Sequence, residues 1–173
     1  RELSDLRNKS LTIFEIGVSQ GGSLQMWKRF FGPYSTIIGI DVSERTKKHE
    51  EERIHVRIGD QSDEKFLDGI IKEFGTPDVV IDDGSHIMKH VTKSFRYLYP
   101  RISKNGVYIV EDLYTAYRKE FGGGINSPNN FVNISKDFVD QLYAYDVKES
   151  ELIPDFITYN TISINFYNGI IVF

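Results

Sequence analysis

The sequence predicts a doubly wound α/β fold with a mostly parallel sheet, and three observations carry that prediction. Short apolar, β-branched runs alternate with longer amphipathic stretches; glycine-rich or acidic turns follow the carboxyl ends of those runs; and the chain closes on two strand-like runs around Asn168-Gly169. The expected strands are 11–16, 36–41, 55–58, 78–83 and 107–111, nearly apolar throughout, as suits strands buried on both faces. Between them, 22–31 carries Leu24, Met26, Trp27 and Phe30 at helical spacing, 63–74 carries Phe66, Leu67, Ile70 and Ile71, and 89–99 carries Val91, Phe95 and Leu98. Residues 120–130 hold too much Gly, Asn and Pro for a regular element and read as a loop before a helix over 131–145. The runs 156–165 and 168–173 read as an antiparallel hairpin at the sheet edge, which completes a Rossmann-like sheet of seven strands with one reversed. The charged stretch 43–53 has little apolar stripe and is expected to be mobile. No repeat or linker divides 1–173, so one domain is expected.

Composition narrows the class. With 173 residues, 40% hydrophobic and 13% aromatic, the chain can bury roughly 70% of its unfolded surface, which excludes disorder as the main state. Lys and Arg number 21 against 25 Asp and Glu, and no basic run interleaves with aromatics, so no nucleic-acid partner is expected. The absence of cysteine excludes disulfides, thiolate metal sites and cysteine nucleophiles. No run of 18 apolar residues occurs, so no membrane span is expected and the protein reads as soluble and cytoplasmic. A chain that opens on Arg1 instead of Met is expected to be trimmed.

The turn after the first strand, Phe14-Glu-Ile-Gly-Val-Ser-Gln-Gly-Gly-Ser23, places three glycines where the backbone must turn sharply and let a ligand approach. Its spacing departs from G-x-G-x-x-G, which argues against a dinucleotide. Asp41, at the end of the second strand, is placed to accept hydrogen bonds from ribose hydroxyls or, alternatively, to cap the next helix. Asp60 and Gln61 follow the third strand at the same sheet end and suit an adenine edge, with Asp60 equally able to act as an N-cap. A nucleoside without pyrophosphate fits best.

A second group forms where Ile81-Asp-Asp-Gly-Ser-His86 and Ile109-Val-Glu-Asp-Leu113 leave neighbouring strands. Side chains alternate faces along a strand, so of Asp82 and Asp83 the terminal Asp83 is freer to reach the crevice. Glu111 and Asp112 leave the sheet together. Carboxylates brought together without a cation repel one another and raise at least one pKa, a cost that a divalent ion removes. Oxygen ligands without cysteine select a hard ion, Mg²⁺ first, with Mn²⁺ or Ca²⁺ as alternatives. His86, three residues after Asp83, is the candidate base. His90 lies four residues further on, in place for a supporting or substrate-binding role or a purely structural one.

These motifs, Glu15-x-Gly17-x-x-x-Gly21-x-Ser23, Gly39-Ile-Asp41, Gly59-Asp-Gln61, Ile81-Asp-Asp-Gly-Ser-His86, Glu111-Asp-Leu-Tyr-Thr-Ala-Tyr117 and the Phe-Gly-Gly-Gly run at 121–124, resemble the class I S-adenosylmethionine-dependent methyltransferases. Within that class the resemblance is to metal-dependent O-methyltransferases of macrolide sugars and their cephalosporin-hydroxylase-like relatives, and it spans 12–173. It implies Mg²⁺ held by Asp83, Glu111 and Asp112, with His86 as general base. It implies S-adenosylmethionine held by Glu15, Gly17, Gly21, Ser23, Asp41, Asp60, Gln61 and Asp82, and an acceptor near His90, Tyr114, Thr115 and Tyr117. The expected reaction is methyl transfer to a hydroxyl of a sugar or glycosylated metabolite, with a glycine-rich lid at 122–124. Macrolide enzymes of this kind carry a further N-terminal domain involved in assembly, which leaves a homo-oligomer as an expectation only. The rival readings are a catechol-type O-methyltransferase, a metal-dependent hydrolase or hydroxylase, and a nucleoside-binding module without turnover.

Overall fold

The computed structural model describes residues 3–147 and 152–173. Strands β1 (Thr12–Ile16), β2 (Thr36–Asp41), β3 (Ile54–Ile58), β4 (Val79–Asp82), β5 (Val107–Val110), β6 (Asn165–Tyr167) and β7 (Ile170–Val172) form one sheet in the order β3-β2-β1-β4-β5-β7-β6. Strands β1 to β5 pair in parallel, while β7 runs antiparallel between β5 and β6. Helices are α1 (Gly22–Phe31), α2 (Glu64–Phe74), α3 (Met88–Leu98), α4 (Phe131–Gln141) and α5 (Phe156–Asn160). The predicted doubly wound, seven-stranded sheet with one reversed strand is the one observed. Chain order reverses between β1 and β4, and the crevice outside the carboxyl ends at such a point is where open α/β sheets take ligands.

Alternation along the strands divides the core in two. Ile13, Ile37, Val79 and Ile81 pack with Leu24 and Phe31 of α1, while Phe14, Ile38, Val80 and Tyr108 pack with Leu67 of α2, Phe95 of α3 and Phe131 of α4. Both faces are apolar because both are covered. Phe95 is the hub of the second face, its ring 4.5 Å from that of Phe173 and 4.9 Å from that of Tyr99. Truncating so central an aromatic costs about 3–5 kcal/mol.

Two segments differ from the sequence reading. Residues 156–160 form α5 instead of strand, because Asp155 accepts from the N–H groups of Ile157 and Thr158 while the Thr158 hydroxyl accepts from the Asp155 N–H. That capping box, with Ile157 fully buried, outweighs the β-branched composition. Only Asn165–Tyr167 remains strand. The stretch 43–53, expected to be mobile, contains a 3₁₀ turn (Glu44–His49) tied to β3 by polar contacts: Lys47 donates to the Val56 carbonyl and Glu50 accepts from the Val56 N–H. Helix α4 stops at Gln141, four residues short of the expected end. Among the described residues, no helix is long and apolar enough to cross a membrane.

Candidate active site

The glycine turn after β1 is held from two sides. Gly17 has φ +93°, and a Cβ there would collide with the Asp83 carbonyl, so glycine lets β1 and β4 converge at their carboxyl ends. Asp41 accepts hydrogen bonds from the N–H groups of Val18, Ser19 and Ser43. A carboxylate has about four acceptor positions, so Asp41 both pins the turn and keeps room for a further donor. Gly21 lies against the ring of His49, whose Nε2 is buried without a hydrogen-bond partner.

Glu15, on β1 beneath this turn, is 1% exposed. Its Oε1 accepts from the Trp27 indole N–H at 3.0 Å, but Oε2 is buried with no partner. Burial pushes its carboxyl from the usual 4.5 up to about 7, against the pull of Ser23 and Trp27. A buried carboxyl with one oxygen left without a partner suits a cationic or hydrogen-bond-donating group.

Asp82 points to the opposite face and into the core. Its oxygens accept from Gln61 Nε2 at 3.0 Å, Ser94 Oγ at 2.6 Å and more distantly from Tyr108 and the Gly84 N–H. Burial raises its pKa while these donors oppose the shift. Gln61 in turn accepts from the Ser85 N–H. These two residues, expected at the cofactor, also lock the ends of β3 and β4 together, since a buried carboxylate requires several donors. Asp60 remains exposed, accepting from the Ser62 N–H at 2.7 Å, and that bond lowers its pKa.

The acidic group forms just past the strand ends. Asp83, His86 and Asp112 each bring one ligand-type atom within 4.8 Å of the others. His86 Nε2 lies 4.0 Å from Asp83 Oδ1 and 3.8 Å from Asp112 Oδ2. Glu111 falls outside that group, yet it is near enough for the charges of Asp83 and Asp112, after burial, to raise its pKa. Burial raises Asp83 as well, with Asp112 adding to it and His86 opposing. Such mutual crowding of half-buried carboxylates is what a divalent cation relieves, and the oxygen-rich set suits a hard ion. His86 and Asp112 both adopt left-handed backbone, φ +56° and +55°, a cost of roughly 1–2 kcal/mol for each non-glycine residue.

The expected acceptor residues separate. Tyr117 is exposed; Thr115 is buried, and its hydroxyl donates to the Asp112 carbonyl, which braces the turn. Tyr114 is exposed, but its hydroxyl donates to Asp112 Oδ2 at 3.1 Å. His90 Nδ1 pairs with Ser85 Oγ at 3.1 Å. Sequence reading took Trp27 as part of an apolar stripe and gave Ser94 and His49 no role, because the partners of all three are tertiary and leave no local motif.

No family model matches the chain. Mycinamicin VI 2''-O-methyltransferase of Micromonospora griseorubida is 36% identical over 98% of this chain and 45% of its own length. The 8-demethyl-8-alpha-L-rhamnosyl tetracenomycin-C 2'-O-methyltransferase of Streptomyces olivaceus is 38% identical over 83% of this chain and 39% of its own. The chain is a homologue of sugar O-methyltransferases. It shares their S-adenosylmethionine-methyltransferase fold: MycE methyltransferase, solved with Mg and SAH, superposes with a TM-score of 0.93 at 34% identity, over 99% of this chain and 47% of that one. A CmcI structure with Mg and SAM matches at 25% identity and a TM-score of 0.55, over 85% of this chain and 63% of that one. The chain spans about half the length of the curated relatives it matches.

Proposed function

We propose that this chain transfers the methyl group of S-adenosylmethionine to a hydroxyl of a glycosylated small molecule, with Mg²⁺ held by Asp83, Asp112 and Glu111. The observation that carries this reading is the Asp83–His86–Asp112 group within 4.8 Å, beside the unpartnered Oε2 of Glu15. A relative solved with Mg, SAH and mycinamycin VI supports the same ligand classes. Bound here, the cation supplies the charge that lowers the acceptor hydroxyl's pKa, and S-adenosylmethionine supplies the methyl group. His86 takes the proton that hydroxyl loses, its Nε2 lying 3.8 Å from Asp112 Oδ2 and 4.0 Å from Asp83 Oδ1. Glu15 and Asp41 accept from the cofactor's amino and ribose groups, and Tyr117 lines the acceptor side.

A second reading comes from the same distances, in which His86 is itself a ligand to the ion and Glu111 stands outside. His86→Ala separates the two. As general base, its loss lowers turnover by roughly 10²–10⁴-fold with the Mg²⁺ dissociation constant unchanged; as ligand, it weakens Mg²⁺ binding measured by calorimetry. Full turnover by His86→Ala would refute both.

A further inference from the structure

The resemblance places Tyr114 near the acceptor, and its hydroxyl is bonded to Asp112. It donates to Asp112 Oδ2 at 3.1 Å, the same oxygen that lies 3.8 Å from His86 Nε2. The Arg118 guanidinium lies over the Tyr114 ring, 4.9 Å from its centroid, a cation–π contact that limits the ring's freedom. Behind it, the Asp112 carbonyl accepts from both the N–H and the hydroxyl of Thr115, at 3.0 and 2.8 Å. The Leu113 N–H donates to the carbonyl of Gly169 in the β6–β7 turn. Asp112 is therefore fixed at both ends: its strained left-handed backbone by Thr115 and the hairpin, its carboxylate by Tyr114.

We infer that Tyr114 is a positioning residue for the cation, holding Asp112 in its ligand orientation, and that Arg118 holds Tyr114. The inference rests on the metal reading above. A carboxylate that would otherwise rotate about two side-chain bonds is held in one orientation before the ion arrives, which reduces the ordering cost of binding. Hydrogen bonds of this kind to a metal ligand are worth 10–100-fold in affinity. Tyr114 is 49% exposed, and competing water places the effect at the low end, about tenfold.

The test is titration of the intact chain with Mn²⁺, followed by electron paramagnetic resonance, with Mg²⁺ as competitor and no cofactor or acceptor present. Tyr114→Phe keeps the ring and removes only the hydroxyl; it is expected to weaken Mn²⁺ about tenfold while the melting temperature without metal stays within a degree or two. Tyr114→Ala is expected to weaken it no further, and Arg118→Ala to fall between wild type and Tyr114→Phe. Wild-type Mn²⁺ affinity in Tyr114→Phe overturns the inference. Failure of the unmutated chain to bind Mn²⁺ in a way that depends on Asp83 overturns the metal reading itself, and with it this inference, so the two failures are distinguishable.

Discussion

Replacing Glu15 by Gln isolates the electrostatic cost of burying that carboxyl. Without ligand, Glu15 titrates at about 7 in the folded chain against 4.5 when unfolded. Below pH 4.5 both states hold the proton and nothing is lost. Between 4.5 and 7 the unfolded chain releases a proton that the folded chain keeps, so stability falls as pH rises, levelling off above 7. From these two values the penalty is below about 1 kcal/mol at pH 5 and about 3 kcal/mol at pH 8. Gln carries no charge but leaves its own amide unpaired, a cost that does not vary with pH. The diagnostic is therefore the change in the difference between the two proteins: Glu15→Gln should gain about 2–3 kcal/mol on wild type between pH 5 and 8, roughly 5–10 °C in melting temperature for a chain of this size. Circular dichroism melts at both pH values measure it, with other titrating groups common to both proteins cancelling. Parallel pH profiles for the two proteins would refute the claim that Glu15 is buried with an unmet partner. Trp27, the single tryptophan and hydrogen-bonded to Glu15, provides a fluorescence signal for cofactor binding in the wild-type chain.

The remaining predictions concern the acidic group and the buried network. Mg²⁺ at a hundred times its dissociation constant should stabilise the wild-type chain by about 2.7 kcal/mol and leave Asp83→Asn unaffected; equal melting-temperature gains would remove Asp83 from the ligand set. In chelator the order reverses, since Asp83→Asn removes one of the crowded carboxylates and should melt above wild type. Ser94→Ala, which removes the 2.6 Å bond to buried Asp82, should cost about 1.5–3 kcal/mol in urea denaturation, and a loss below about 0.5 kcal/mol would contradict the network.

The central strands β1, β2, β4 and β5 were legible because two-face burial writes itself as nearly apolar runs, and β3, at the sheet edge, was legible although it carries His55 and Arg57. Period two alone separates Asp82 from Asp83, and the structure sends Asp82 to Ser94 and leaves Asp83 beside His86. Gln61 was less tractable, since an amide next to an exposed acid reads as a ligand contact unless its buried partners, 21 and 33 residues away, are known. The α5 segment misled for a related reason: Phe156, Ile157, Thr158 and Tyr159 favour strand one by one, and only the reciprocal bonds between Asp155 and Thr158 decide for helix. His49 gave no signal at all, because its contact is with a glycine and leaves no trace in spacing.

Three non-glycine residues with left-handed backbone, Ser19, His86 and Asp112, sit just beyond the carboxyl ends of β1, β4 and β5. Their placement follows from one geometric demand. A parallel strand delivers side chains above and below the sheet, whereas a ligand at the switch point needs them projected along the strand axis, and a left-handed residue makes that turn within one position. Glycine would make it without strain but carries no chemistry, so His86 and Asp112 retain the strain together with the imidazole and the carboxylate. Strain held in this way persists only where surrounding contacts over-determine it. For Asp112 those contacts are Thr115, Gly169 and Tyr114. Among the described residues, the Asp112 and Asp83 carboxylates lie 3.8 and 4.0 Å from His86 Nε2, and both are beyond hydrogen-bond range. The less braced of the two strained residues is the one proposed to move a proton, and the more braced is the one proposed to hold an ion.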